Sequence, residues 1–263
     1  MHIVSIGSSS SGNCTLIHNT DTFILIDAGI SVKQVMAKLR PVFGKPEAQF
    51  PKWLPKLDGI FITHEHSDHI KSAGALNRKI RVPIYVSPFV RDKKPNIFEK
   101  CSSLHEISDT SDIVVNSMRI KPFSTKHDAI QALGFVISDK DTIFGYVTDT
   151  GSISKTMRSA LQSCTSLMME CDYDEELLKE YEGYSRDLKD RIGSPFGHLS
   201  NQQALEFIKT SLDINNLKVI VIGHLSENTN TPAKLLERIK EAFPDPAHQA
   251  KFRIAPFDGE VEL

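Results

Sequence analysis

The chain of 263 residues has one tryptophan and four cysteines, and no two of those cysteines stand in a Cys-x-x-Cys pair. Cys14, Cys101, Cys164 and Cys171 are too dispersed for a disulfide framework. Scattered cysteines in a chain of this length read as reduced, small apolar residues, and the cytoplasm is the expected compartment. No run of about 18 apolar residues occurs, so no membrane-spanning helix is expected. Met1 to Ile17 lack a basic stretch followed by an apolar one, so no secretory leader is expected either. Charge of one sign is also missing: 31 Lys+Arg against 33 Asp+Glu leaves a net −2. That balance excludes a histone-like binder of nucleic acid and leaves a local basic strip open, because binding depends on where charge sits. There is no internal repeat and no low-complexity tract. Hydrophobic residues make up 40% of the chain, too many for a disordered one, and no linker divides it. One domain spanning residues 1–263 is the expectation.

What the chain does have is ten histidines, and their positions carry the argument. Short apolar runs at His2 to Ile6, Cys14 to His18, Phe23 to Asp27 and Leu57 to Thr63 read as strands. So do Ile113 to Phe123, Ala132 to Ser138, Thr142 to Thr148, Ser166 to Glu170 and Lys218 to Gly223. Helical spacing appears over Ser31 to Leu39, Ser152 to Gln162, Asp172 to Tyr181, Asn201 to Leu212 and Pro232 to Phe243. Four prolines between Arg40 and Lys56 indicate an irregular surface loop, and Glu182 to Gly197 reads as a charged loop. The strands come mostly as meanders with helices between, which points to α+β layers and away from a regular parallel βαβ wind.

Three histidines cluster in Thr63-His64-Glu65-His66-Ser67-Asp68-His69, directly after an apolar strand. Four potential metal ligands, His64, His66, Asp68 and His69, fall within six residues. A strand end offers rigid support together with access to solvent. Imidazole and carboxylate together suit Zn, Mn or Fe. His127 and Asp149 repeat the pattern of a ligand type just past an apolar strand, and His224 follows the strand Lys218 to Ile222. Glu65 lies between two of the histidines, and its side chain is expected to point away from the metals and support the site. His198 sits in Gly197-His198-Leu199-Ser200-Asn201 before a helix, with Ser200 or Asn201 as its cap.

In order and approximate spacing, His64-x-His66-x-Asp68-His69, His127, Asp149 and His224 resemble the motif set of the metallo-β-lactamase superfamily. The resemblance covers nearly the whole chain. It implies an α+β, four-layer αββα sandwich: two mixed β-sheets face to face, helices outside, and a dinuclear metal site at one edge. It further implies that His64, His66 and His127 hold one metal, that Asp68, His69 and His224 hold the other, and that Asp149 bridges them. Two divalent ions are implied, Zn or Mn, with Fe also compatible. Asp68 would double as the group that orients, or takes a proton from, the attacking hydroxide.

His198 carries the inference about substrate. Its Gly-His-Leu-Ser segment, 26 residues before His224, resembles a segment of tRNase Z-type phosphodiesterases. There a non-ligand histidine contacts the scissile phosphate and protonates the leaving oxygen. The blocks Gly7-Ser-Ser-Ser-Ser-Gly-Asn13, Thr148-Asp-Thr-Gly151, Arg191-Ile-Gly-Ser-x-x-Gly-His-Leu-Ser-Asn201 and Gly223-His-Leu-Ser-Glu-Asn228 are similar to the YycJ/WalJ group of bacterial metal-dependent exonucleases. The expected activity is therefore phosphodiester hydrolysis in nucleic acid, DNA in preference to RNA, with exonuclease-like action by metal-bound hydroxide on phosphorus. His198 and Asp68 are the expected catalytic residues. The alternatives are a phosphodiesterase for a small cyclic or nucleotide ester, an acyl hydrolase, and a metal-stabilised binding module. An acyl hydrolase has no need of a phosphate-contacting His198, and binding alone needs no open pair of metals. Arg186, Lys189 and Arg191, offset by Asp187 and Asp190, read first as a solvated face and otherwise as phosphate contacts before His198. Lys126, beside His127, is a further candidate contact to a substrate backbone.

Overall fold

The structure, a computed structural model, describes residues 1–45, 54–256 and 259–263. Its strands are β1 (His2–Gly7), β2 (Cys14–His18), β3 (Phe23–Ile26), β4 (Gly59–Phe61), β5 (Ile84–Val86), β6 (Leu104–Glu106) and β7 (Ile113–Val115). They continue as β8 (Met118–Ser124), β9 (Leu133–Ser138), β10 (Ile143–Val147), β11 (Ser166–Glu170), β12 (Val219–Gly223), β13 (Phe252–Ile254) and β14 (Val261–Glu262). Among the described residues they form two seven-stranded sheets, ordered β14-β1-β2-β3-β4-β5-β6 and β13-β12-β11-β10-β9-β8-β7. Each sheet opens as an antiparallel meander, β1 to β3 or β7 to β10. Each then continues in parallel strands, β3 to β6 or β10 to β13. The expected meanders thus describe only half of each sheet. The other half is a parallel wind whose crossovers run through helices.

The two-residue alternation of the strands assigns the layers. Ile17, Ile24, Ile26 and Phe61 of the first sheet share one buried cluster with Phe135, Ile137, Phe144, Tyr146, Met168 and Val221 of the second. Their neighbours along the chain face outward. Leu16, Leu25 and Ile60 pack with Val35 and Leu39 of the helix Val32–Val42 and with Leu76 of the helix Ala73–Ile80. Leu167, Met169, Ile220 and Ile222 pack with Met157 and Leu161 of the helix Lys155–Leu161, and with Phe207 and Leu235. Phe207 belongs to the helix Asn201–Ser211 and Leu235 to the helix Pro232–Ala242. The order is helix, sheet, sheet, helix. Because both faces of the central strands are covered, they read as continuous apolar runs.

Several expected elements shift. Ile113 to Phe123 is two strands joined by a turn in which Asn116 takes a left-handed φ of 47°. The stretch Glu182 to Gly197 contains a helix, Arg186–Ile192, capped by Ser185. None of its residues is buried, so it has no apolar stripe to announce it. The helix expected from Asp172 starts at Glu175, and the one expected from Ser152 starts at Lys155. Of the expected loop Arg40 to Lys56, Arg40, Pro41 and Val42 are helical, and residues 46–53 lie outside the described residues.

One close approach locks the loops after β1 and β3 to the helix Ser67–Ile70. Asn13 N donates to Asp68 O at 2.7 Å, Ala28 N to His69 O at 2.7 Å and Ser72 N to Ala28 O at 2.9 Å. At Gly29 a Cβ would sit 1.4 Å from Asp68 O, so no side chain fits. Gly29→Ala is therefore expected to cost about 3 kcal/mol of overpacking, a fall in Tm of roughly 6–12 °C. Gly193→Ala, where the new methyl meets its nearest neighbour at 3.5 Å, serves as the control and should stay within about 1 kcal/mol. Thermal unfolding followed by circular dichroism checks the pair.

Candidate metal centre

Parallel neighbours place their carboxyl ends on one edge of a sheet, and both sheets turn that edge to the same place. Asp27 follows β3, His64 follows β4, His127 follows β8, Asp149 follows β10, Glu170 ends β11 and His224 follows β12. At three of these exits the backbone turns through left-handed φ: 62° at Asp27, 56° at Asp149 and 52° at His224. Such conformations are uncommon for non-glycine residues, and they aim the side chains off the strand ends. His66 is the cap residue of the short helix Ser67–Ile70, which carries Asp68 and His69. Ser200 caps the helix after His198, with Gln203 completing a capping box.

All eight expected residues converge. His64, His66 and His127 form one group whose ligand atoms lie within 4.8 Å of one another. Asp68, His69 and His224 form a second. Asp149 reaches both: its Oδ2 lies 3.3 Å from His69 Nε2, and its Oδ1 lies 3.4 Å from His224 Nε2 and 3.7 Å from His127 Nε2. His64 Nε2, Asp149 Oδ2 and both ring nitrogens of His224 are buried without a hydrogen-bond partner among the described residues. Buried polar atoms are rarely left so. Nitrogens and carboxylate oxygens aimed at common points without partners are the donor set that divalent cations take up.

The charges agree. Burial and the neighbouring His69 push the His64 imidazole well below its usual range, which keeps it neutral as a ligand must be. Burial alone would raise the Asp149 carboxyl, but His224, His69, His64 and His127 together hold it well below its usual range. Glu65 points elsewhere, accepting from Lys93 Nζ at 2.7 Å and from Ile130 N at 3.0 Å.

Three supporting residues were not singled out in the sequence. Asp27, fully buried, accepts from Thr63 N at 2.9 Å and lies 2.7 Å from His69 Nδ1, so it sets the ring plane of His69. Glu170, also fully buried, accepts from Thr150 N at 2.5 Å through one oxygen and from His198 Nδ1 at 2.9 Å through the other. Asn13 Nδ2 donates to Asp68 Oδ2 at 3.2 Å. The available signal for Asp27 was its place at the end of an apolar strand, the same signal that marks Asp149. His127 is held in turn by Nδ1 donating to Gly197 O at 3.0 Å. His198 keeps about a fifth of its side chain exposed. Burial opposes its charged form, yet Glu170 lifts it to about 10.

Ligand-orienting partners of this kind typically change metal affinity or activity by about 10–100-fold when altered. Asp27→Asn is thus expected to weaken metal retention by about 10–100-fold with the fold intact. Competition against a chelator of known affinity measures it. Unchanged retention would mean that His69 is positioned without Asp27.

A sequence profile described as the Beta-lactamase superfamily domain matches residues 22–216. Over 233 residues the chain is 31% identical to a protein named exodeoxyribonuclease WalJ from Streptococcus pneumoniae serotype 2, covering 86% of this chain and 81% of that one. It is 27% identical to exodeoxyribonuclease YycJ from Bacillus anthracis over 232 residues, 88% of this chain and 84% of the other. Among solved structures, the metallo-β-lactamase fold protein YhfI from Bacillus subtilis superposes with a TM-score of 0.72 at 18% identity. That match covers 99% of this chain and 98% of the other.

Proposed function

The chain belongs to the metallo-β-lactamase superfamily, and from that premise we propose that it is a metal-dependent phosphodiesterase that removes nucleotides from DNA ends. Residues 1–263 act as one hydrolase domain. The observation that carries this reading is His198. It is bound through Nδ1 to Glu170, while its Nε2 makes no hydrogen bond among the described residues. A ring fixed at one nitrogen and free at the other is suited to deliver a proton. Phosphodiester cleavage needs that proton at the leaving oxygen.

His64, His66 and His127 would hold one divalent cation, Asp68, His69 and His224 the other, with the two oxygens of Asp149 facing both groups. When bound, the cations would lower the pKa of a water and offset charge on the phosphoryl oxygens. The chain's own residues supply the rest. Asp68, a quarter exposed and steadied by Asn13, orients the attacking water and accepts its proton. As the water oxygen bonds to phosphorus and the phosphorus–oxygen bond to the leaving group breaks, His198 Nε2 gives its proton to that leaving oxygen. Glu170 stabilises the charged imidazole beforehand and returns it to the same position afterward. The named relatives support DNA as the polymer. The cytoplasm is the compartment we assign: it holds the DNA, and the four cysteines are unpaired in the structure, as reducing conditions would leave them.

The test uses end-labelled single- and double-stranded DNA with protein loaded with Mn or Zn. His198→Ala is expected to lower kcat by about 10²–10⁴-fold, the usual contribution of a positioned acid, and Asp68→Ala by at least as much. Undiminished cleavage by both variants contradicts the mechanism. Hydrolysis of a cyclic phosphodiester without cleavage of DNA contradicts the substrate.

A further inference from the structure

We propose that Phe196 is the platform on which an unpaired base stacks beside the scissile phosphate, an inference that rests on the nucleic-acid reading above and specifies how the strand is held. Phe196 is 53% exposed, and it stands two residues before His198. A lone exposed apolar residue is ordinary on a protein surface. Three observations set this one apart.

First, the loop that presents it is rigid. Gly197 N donates to Ser194 O at 2.9 Å and His198 N to Ile192 O at 2.8 Å. Ser152 Oγ donates to Pro195 O at 2.9 Å, and Phe196 N donates to Ser194 Oγ at 3.3 Å. The turn is so close that a Cβ on Gly197 would lie 2.1 Å from Ile192 O and 2.3 Å from Arg191 O. Exposure here does not come from slack backbone: the chain is pinned with the ring outward.

Second, the same loop is part of the metal centre. Gly197 O accepts from His127 Nδ1, and His198 is the residue assigned to the leaving oxygen. The backbone that carries the ring is thus fixed relative to both, two residues from His198 and one from Gly197. Third, Lys126, adjacent to His127, places its Nζ 5.9 Å from the Phe196 ring centroid. Arg191, 62% exposed at its side chain, pairs with Asp128 on the same rim. An aromatic face bordered by cations is the pairing that binds single-stranded nucleic acid: bases stack on the ring, and phosphates pass the charges. The stacking does not distinguish one base from another, since every base has a π-face, so the platform favours unpaired ends over particular sequences.

The experiment is a cycle between protein and substrate. Single-stranded oligonucleotides carry one base-free nucleotide, placed in turn at each position near the cleaved end, and methyl p-nitrophenyl phosphate serves as a diester without a base. For the wild type, kcat/KM is expected to fall about tenfold when the base-free nucleotide occupies one particular position, the loss typical of one stacked base. Phe196→Ala is expected to show about that loss on intact DNA, relative to the small diester, and no further loss at that position. Phe196→Trp is expected to retain the wild-type ratio of DNA to small-diester activity. Losses that multiply, or an alanine variant whose DNA-to-diester ratio matches the wild type, overturn the platform while leaving the phosphodiesterase reading standing. A wild type that hydrolyses the small diester and no DNA overturns the nucleic-acid reading, and the platform falls with it.

Discussion

A buried carboxylate requires positive charge beside it, and the catalytic edge of this protein is organised around that requirement at Asp149. Its two oxygens face imidazoles from four separate segments: His69 of the helix Ser67–Ile70, His127 after β8, His198 before the helix Asn201–Ser211 and His224 after β12. Leaving such a group unpaired in the interior would be costly. The seven-stranded sheets resolve the problem through topology. Each places the ends of parallel strands at one rim, so residues far apart in the chain meet without long loops.

Around Asp149 the remaining polar side chains divide into holders and aimers. Asp27 and Thr63 fix the plane of His69, and Gly197 fixes His127 through its carbonyl. Glu170 ties His198 to the backbone N–H of Thr150, and so to the turn that carries Asp149. One rigid scaffold therefore sets both the candidate cation donors and His198, the proton donor we propose. The left-handed turns at Asp27, Asp149 and His224 belong to the same design, since conformations that disfavour ordinary residues persist where the surroundings over-determine them.

The residues that the fold brings together as candidate donors were legible in the sequence because most of them occur in a dense local pattern. His64, His66, Asp68 and His69 fall within six residues after an apolar strand, and no packing role explains all four. The sandwich was legible through that same resemblance and through the apolar strand runs. Asp27 and Glu170 escaped notice because each is a single acidic residue closing an apolar run, which in one dimension looks like a turn. Their partners, His69 and His198, lie 42 and 28 positions away. The helix Arg186–Ile192 was hidden by its own exposure, since with no buried side it has no periodic signal. Phe196 was concealed in the same charged stretch: only the fold shows that its half-exposed ring lies against Lys126 on the loop that carries His198.

The claim on which all of this rests is that two sets of donors, sharing Asp149, hold two cations. Metal content per chain, measured by inductively coupled plasma mass spectrometry after loading and desalting, tests it most directly. The account predicts about two equivalents of divalent metal for the wild type and about one each for His66→Ala and His224→Ala, with the remaining ion assigned to the intact group. A wild type that retains none, or single variants that both retain the full complement, would contradict it.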